Sequence, residues 1–179
     1  MLPPYAELHC RSNFSFLTGA SHPEELVAQA QARGYTALAL TDECSLAGVV
    51  RAHGEAVRLG MPFIVGAQMQ LELPAAQSPA SAAPVDVSPP LLATSSVLTG
   101  HAAPRLLLLA QSRRGYGNLS QWITVARRRA AKGQYRALVS DLEGRVPHAP
   151  FLAGLPGCFA ILLPQAQQSE QTIYATRCG

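Results

Sequence analysis

The sequence predicts an α/β fold: a parallel sheet or barrel with helices packed outside it. Three observations carry this. Short apolar runs alternate with amphipathic helical stretches in the order β-α-β-α-β. The connections between them are short. Polar residues follow each apolar run directly, where folds of this class gather their working side chains.

Residues 5–8 form the first expected strand, and residues 13–20 read as a loop ending near Gly19. Ser21-His22-Pro23-Glu24 opens a helix: Ser21 suits the cap, Glu24 completes a capping box and Pro23 fits the first turn. Leu26, Val27 and Ala30 give the apolar stripe, and Gly34 is the stop. Residues 35–40 read as a buried strand, followed by the polar loop Thr41-Asp42-Glu43-Cys44-Ser45. A second helix is expected over residues 46–59, stopped by Gly60. The third strand covers residues 62–65 and leads into 68–73.

Residues 74–104 break the pattern. They are rich in Ala, Pro and Ser and carry one charge, Asp86, which reads as a flexible insertion within the domain. Residues 105–110 resume as a strand. Ser112 caps a long helix to about residue 131, with Leu119, Trp122, Ile123 and Ala126 inward and Gly133 as its stop. Residues 159–163 are a further short strand, and residues 165–179 form a polar tail. The expected organisation is therefore one domain: 1–73, an insertion at 74–104, a continuation at 105–164, and the tail.

Composition agrees. A chain of 179 residues at 48% hydrophobic fills a real core, and 14% charged lies well below the ~25% of average globular proteins. This excludes a disordered tail protein and a large multidomain enzyme within the chain. No run of about 18 apolar residues suggests a membrane span. The first residues hold neither a basic region nor an apolar run, so no signal peptide is expected, and cytoplasmic location is. Cys10, Cys44, Cys158 and Cys178 make no CxxC pair and read as free thiols.

The residues after the strands look at first like a metal site. His9, Asp42 and Glu43 are ligand types brought to neighbouring strand ends. Arg11, two residues beyond His9 on the same side of an extended chain, brings a fixed positive charge instead. It is expected to pair with Asp42 or Glu43. Gln68 adds only a neutral amide. No catalytic residue and no bound metal are expected.

The segments carrying these residues resemble a known family. Tyr5-Ala6-Glu7-Leu8-His9-Cys10-Arg11-Ser12-Asn13-Phe14-Ser15-Phe16-Leu17-Thr18-Gly19-Ala20 resembles the opening motif of the polymerase and histidinol phosphatase (PHP) domain that starts the alpha subunit of bacterial C-family DNA polymerases. Ala39 through Gly48 and Pro62-Phe63-Ile64-Val65-Gly66-Ala67-Gln68 resemble the motifs that follow, in order, and Leu106 through Ser112 and Gly115 through Ser120 resemble the strand and helix after them. Glu-Leu-His-Cys at Glu7, Thr-Asp-Glu-Cys at Thr41 and Ala-Arg-Arg-Arg-Ala at Ala126 are most similar to the error-prone branch.

The resemblance implies a partial PHP-type (β/α) barrel with parallel strands and outer helices. It also implies a polymerase active in damage tolerance and induced mutagenesis, with Mg2+ as the cofactor of the full enzyme and none for this chain. In metal-binding members, the positions of His9 and Arg11 are both His, that of Glu43 is His and that of Gln68 is Glu. Glu7, His9, Arg11, Asp42, Glu43 and Gln68 are thus vestigial metal-site positions. The implied partners are the remainder of the polymerase chain, DNA through the full enzyme and other mutagenesis proteins, with no membrane.

Charge is unevenly spread. Between Arg105 and Arg136 lie eight basic residues and no acidic one. Arg113, Arg114, Arg127, Arg128, Arg129 and Lys132 are the candidates for contact with phosphate or with another domain, against a simple solvated helix face. Three functions stay open: a structural, non-catalytic polymerase module, a stand-alone metal-dependent phosphoesterase of the same superfamily, and a basic nucleic-acid- or protein-binding module.

Overall fold

The computed structural model describes residues 4–72, 103–146 and 148–163. The expected insertion (apart from residues 103 and 104) and the polar tail lie outside the described residues. So does His101.

The first half forms as the sequence predicts. Strand β1 (Ala6–Cys10), helix α1 (Pro23–Ala32), strand β2 (Ala37–Leu40), helix α2 (Val49–Leu59) and strand β3 (Phe63–Glu72) follow in order. β1 pairs with β2 and β2 with β3, both parallel. The start of α1 differs by one residue. His22 is the cap, Pro23 is the first helical residue, and Glu25 rather than Glu24 reaches back to accept the His22 amide at 2.8 Å. Glu24 pairs with Arg51 of α2 instead. α2 starts three residues later than expected. Gly48 precedes it because a Cβ there would meet Pro23 Cγ at 2.8 Å, so α1 and α2 lie close at this point.

The second half is mixed. β4 (Arg105–Ala110) lies antiparallel to β3, and β6 (Cys158–Leu163) antiparallel to β4, giving the order β1-β2-β3-β4-β6. An antiparallel neighbour needs no crossover helix, which a parallel one does. The partial barrel is thus parallel over its first three strands and antiparallel where β4 and β6 extend it. Gly66 permits the close approach of β4, since a Cβ there would meet the Leu108 carbonyl oxygen at 2.5 Å.

Helix α3 (Arg113–Arg128) begins at Ser112, whose hydroxyl accepts the Gly115 amide at 3.1 Å. It ends a few residues before the expected 131. Its buried face carries Leu119, Trp122, Ile123 and Ala126, the stripe read from the sequence. The stretch after it holds elements the sequence reading missed: β5 (Ala137–Leu138), which pairs parallel with the far end of β3, a short helix α4 (Val139–Leu142), and a 3-10 turn at Pro150–Leu152.

Register explains the layering. Leu38 and Leu40 of β2 sit opposite Phe63 and Val65 of β3, and Ala67 sits opposite Leu108 of β4. Directly opposed residues share a face. On that face, Leu38 and Leu40 pack with Val27, Ala30, Ala52 and Ala56 of α1 and α2, while Ala67, Met69 and Leu108 pack with the α3 stripe. All three helices therefore lie outside one face of the sheet. Ala39, Leu107 and Leu109 form a smaller cluster on the other face, with Ile64 and Leu163.

Candidate functional site

The parallel strands bring the ends of β1 and β2 beside the middle of β3. Gln68 and Glu43 form a parallel bridge: the Gln68 amide donates to the Asp42 carbonyl at 3.0 Å, and the Cys44 amide donates to the Gln68 carbonyl at 2.8 Å. This places the Gln68 and Glu43 side chains together, and Gln68 Nε2 donates to Glu43 Oε2 at 2.7 Å.

Gln68 Oε1 faces the end of β1. It accepts from an Arg11 guanidinium nitrogen and lies 2.8 Å from His9 Nε2, which places the imidazole hydrogen on Nε2. The same Arg11 nitrogen is 3.7 Å from Glu43 Oε2, so of the two expected ion-pair partners it meets Glu43. The other Glu43 oxygen accepts from the hydroxyl of Tyr135, which in turn accepts the Gln70 amide at 2.8 Å. Burial first, then the hydrogen bond to Glu43, push the Tyr135 phenol well above its usual range, so it is a donor across the physiological range.

Asp42 follows a different path. It is buried, and its carboxylate accepts the Ser12 amide at 2.8 Å, the Ser12 hydroxyl at 2.7 Å and the Ser15 hydroxyl at 2.6 Å. Asp42 and Glu43, adjacent in sequence, thus serve different partners and do not converge. Glu7 also stands apart: it accepts from the Tyr5 hydroxyl and from the His9 backbone amide, each at 2.8 Å, and meets no side chain of the Gln68 group. Desolvation raises the thiols of Cys10 and Cys44 to about 11, the chemistry of buried inert thiols rather than of nucleophiles.

The residues present do not fit a divalent cation. A guanidinium occupies the space beside Glu43, an amide stands at the centre, and both Glu43 oxygens are engaged by hydrogen-bond donors. Among the described residues, no three His, Cys, Asp or Glu side chains are grouped so as to hold an ion. What the arrangement does chemically is lock the ends of β1 and β2 to the middle of β3. Ser15 and Tyr135 were missed in the sequence. A second hydroxyl three residues beyond Ser12, just after a strand, was a usable signal for Ser15, whereas nothing local marks Tyr135.

The basic residues divide in two. Arg127 Nε donates to the Cys44 carbonyl at 2.9 Å. Arg129 Nη1 sits 2.7 Å from buried Asp141, which also accepts Trp122 Nε1 at 2.9 Å and the Leu138 amide at 3.1 Å. Both arginines therefore hold the α3 region to its surroundings. Arg113, Arg114, Arg128 and Lys132 are exposed.

Comparison with known proteins matches the PHP domain over residues 7–150. Error-prone DNA polymerase of Bordetella parapertussis is 52% identical over 164 residues, which cover 92% of this chain and 13% of that protein. Error-prone DNA polymerase of Ralstonia nicotianae is 50% identical over 174 residues, covering 97% of this chain and 14% of that protein. The chain thus spans about one seventh or less of the length of these curated relatives. Among solved structures, an amidohydrolase from Chromobacterium violaceum superposes with a TM-score of 0.46 at 23% identity, covering 69% of this chain and 33% of that one.

Proposed function

The chain belongs to the PHP domain family, and from that premise we propose that it serves as the PHP module of an error-prone DNA polymerase, as structural support and not as a catalyst. The observation that supports this most is identity of about one half to polymerases of that name over nearly the whole chain. The closed hydrogen-bond group of His9, Arg11, Glu43 and Gln68 supports the non-catalytic part: these four, with Glu7 and Asp42 outside the group, act as vestigial metal-site positions that now position backbone. In this reading the polymerase carries out nucleotidyl transfer in DNA repair and damage-induced mutagenesis in the cytoplasm. It does so with Mg2+ held by residues elsewhere in the enzyme. DNA and other mutagenesis proteins are partners of the whole enzyme. Exposed Arg113, Arg114, Arg128 and Lys132 contact phosphate or a neighbouring domain.

The test is a chimera. In the Bordetella parapertussis polymerase, the 164 matching residues are replaced by this chain, and primer extension is measured. The chimera is expected to extend a primed template, while the isolated chain shows neither extension nor phosphatase turnover, with less than one equivalent of zinc or manganese by elemental analysis. Manganese-dependent phosphatase turnover by the isolated chain would overturn the non-catalytic reading. A folded but inactive chimera would overturn the polymerase reading.

A further inference from the structure

We infer that Phe16 and Leu17, at the tip of the loop between β1 and α1, form a docking knob that enters an apolar pocket in the remaining polymerase chain. The inference rests on the polymerase reading above.

Both side chains stand in solvent, Phe16 84% and Leu17 88% exposed. A large apolar pair so exposed on one tip is what an interface anchor requires, because it loses unfavourable hydration when covered. The backbone adds a second, independent sign. Leu17 has φ 62, the left-handed region that disfavours leucine and suits glycine. Here a side chain that is almost wholly exposed stands at a position where glycine would relieve the strain. Neither local stability nor packing accounts for leucine there.

The loop is also held rigid. The Ser15 amide donates to the Ser12 carbonyl at 2.9 Å, and the Thr18 and Gly19 amides both donate to the Ser15 carbonyl at 3.0 Å. The Asn13 amide donates to the Ser21 carbonyl at 2.9 Å, closing the base, and the Ser15 hydroxyl is fixed on buried Asp42. Gly19 is pressed on the Ser12 carbonyl so closely that a Cβ would lie 1.9 Å from its oxygen. A tip fixed before contact loses little freedom on binding.

The chemistry of the loop selects the partner. Residues 12–21 carry no charge, so nothing on the loop attracts phosphate and a nucleic acid is not its natural occupant. An uncharged aromatic and aliphatic pair suits a dry pocket in protein. Relatives that contain this module are mostly other polypeptide, with 13% of their length matched, so the surface nearest to hand is the remainder of that chain.

Hydroxyl-radical footprinting, which labels exposed Phe and Leu side chains, tests this without a substitution. Phe16 and Leu17 are expected to label strongly in the isolated chain and to lose that labelling in the active chimeric polymerase, with or without DNA. Unchanged labelling in an active chimera overturns the inference while leaving the polymerase reading intact. Labelling lost only when primed template is added overturns it in favour of a base-contacting role. Weak labelling in the isolated chain overturns it by showing that the chain covers its own tip. A folded chimera without extension activity removes the polymerase reading itself, and the inference with it. As a second measurement, the double substitution F16D/L17D is expected to leave the melting temperature of the isolated chain unchanged and to lower that of the chimera; equal effects on both would count against docking.

Discussion

Ser15 Oγ lies 2.6 Å from Asp42 Oδ1 and also accepts the Glu43 amide at 3.0 Å, so one hydroxyl joins the loop after β1 to the end of β2. Asp42 is buried and Glu43 half-buried. Ser15→Ala removes the donor to a buried carboxylate and strands a backbone amide, at a cost of about 1–3 kcal/mol. Urea unfolding measures it. An unchanged midpoint would mean that water replaces the hydroxyl.

Alkaline pH should destabilise the protein in a defined window. Burial raises the Cys10 and Cys44 thiols from 9.0 to about 11, and Tyr135 moves in the same direction, from burial first and then its bond to Glu43. A group whose folded pKa is raised contributes stability below its unfolded value and loses that contribution as pH rises through the folded one. Stability is therefore expected to fall between pH 9 and about pH 11, and less so in the double variant Cys10→Ala, Cys44→Ala. Denaturant midpoints across that range check the slope, and a flat profile in the parent chain would contradict it.

Asp141 should matter more to stability than any exposed charge. It is buried and takes hydrogen bonds from Trp122, Arg129 and the Leu138 amide. Asp141→Ala leaves a half-buried guanidinium and an indole N–H without their acceptor, with an expected loss of about 3–5 kcal/mol. Trp122 is the only tryptophan, so its fluorescence reports the unfolding directly. A loss under about 1 kcal/mol would show that Arg129 simply swings into solvent.

How far the sequence could be read follows from the range of each interaction. The Ser112 cap and the α3 stripe were legible because they depend on residues three or four apart. The start of α1 was ambiguous because Ser21 with Glu24 and His22 with Glu25 have the same spacing. Pro23 decides for His22, since proline suits the first helical position. The group of His9, Arg11, Glu43 and Gln68 was foreseeable from strand order, because parallel neighbours align their ends. The Tyr135–Glu43 bond, between residues 92 apart, leaves no pattern in sequence. Strand direction in the second half was equally invisible: an apolar run such as Leu106-Leu107-Leu108-Leu109 fits either orientation.

Among the described residues, the two outer strands of the sheet predict opposite behaviour. β1 carries Glu7 and His9 and a register irregularity between Glu7 and Cys10, features that discourage another strand. β6 is Cys-Phe-Ala-Ile-Leu-Leu, with no charge or proline, and Phe159 and Leu162 are mostly exposed. The isolated chain is expected to associate through β6, and Leu162→Lys to reduce association without lowering the melting temperature. Size-exclusion chromatography over a concentration series checks this. Association that persists in Leu162→Lys would place the contact elsewhere.

The ladder between β3 and β4 has a consequence for engineering. Five registered pairs run from Gly66↔Leu109 to Gln70↔Arg105, and the Leu71 amide donates to the Pro104 carbonyl at 2.8 Å. The two ends of the connection over residues 73–104 are thus clamped within hydrogen-bonding distance whatever their link contains. Closing a loop costs only about 0.6 kcal/mol more for each doubling of its length. Lengthening or trimming this link is therefore expected to cost little in stability. A fluorescent reporter or affinity tag placed within it would leave the strand pairing on either side undisturbed.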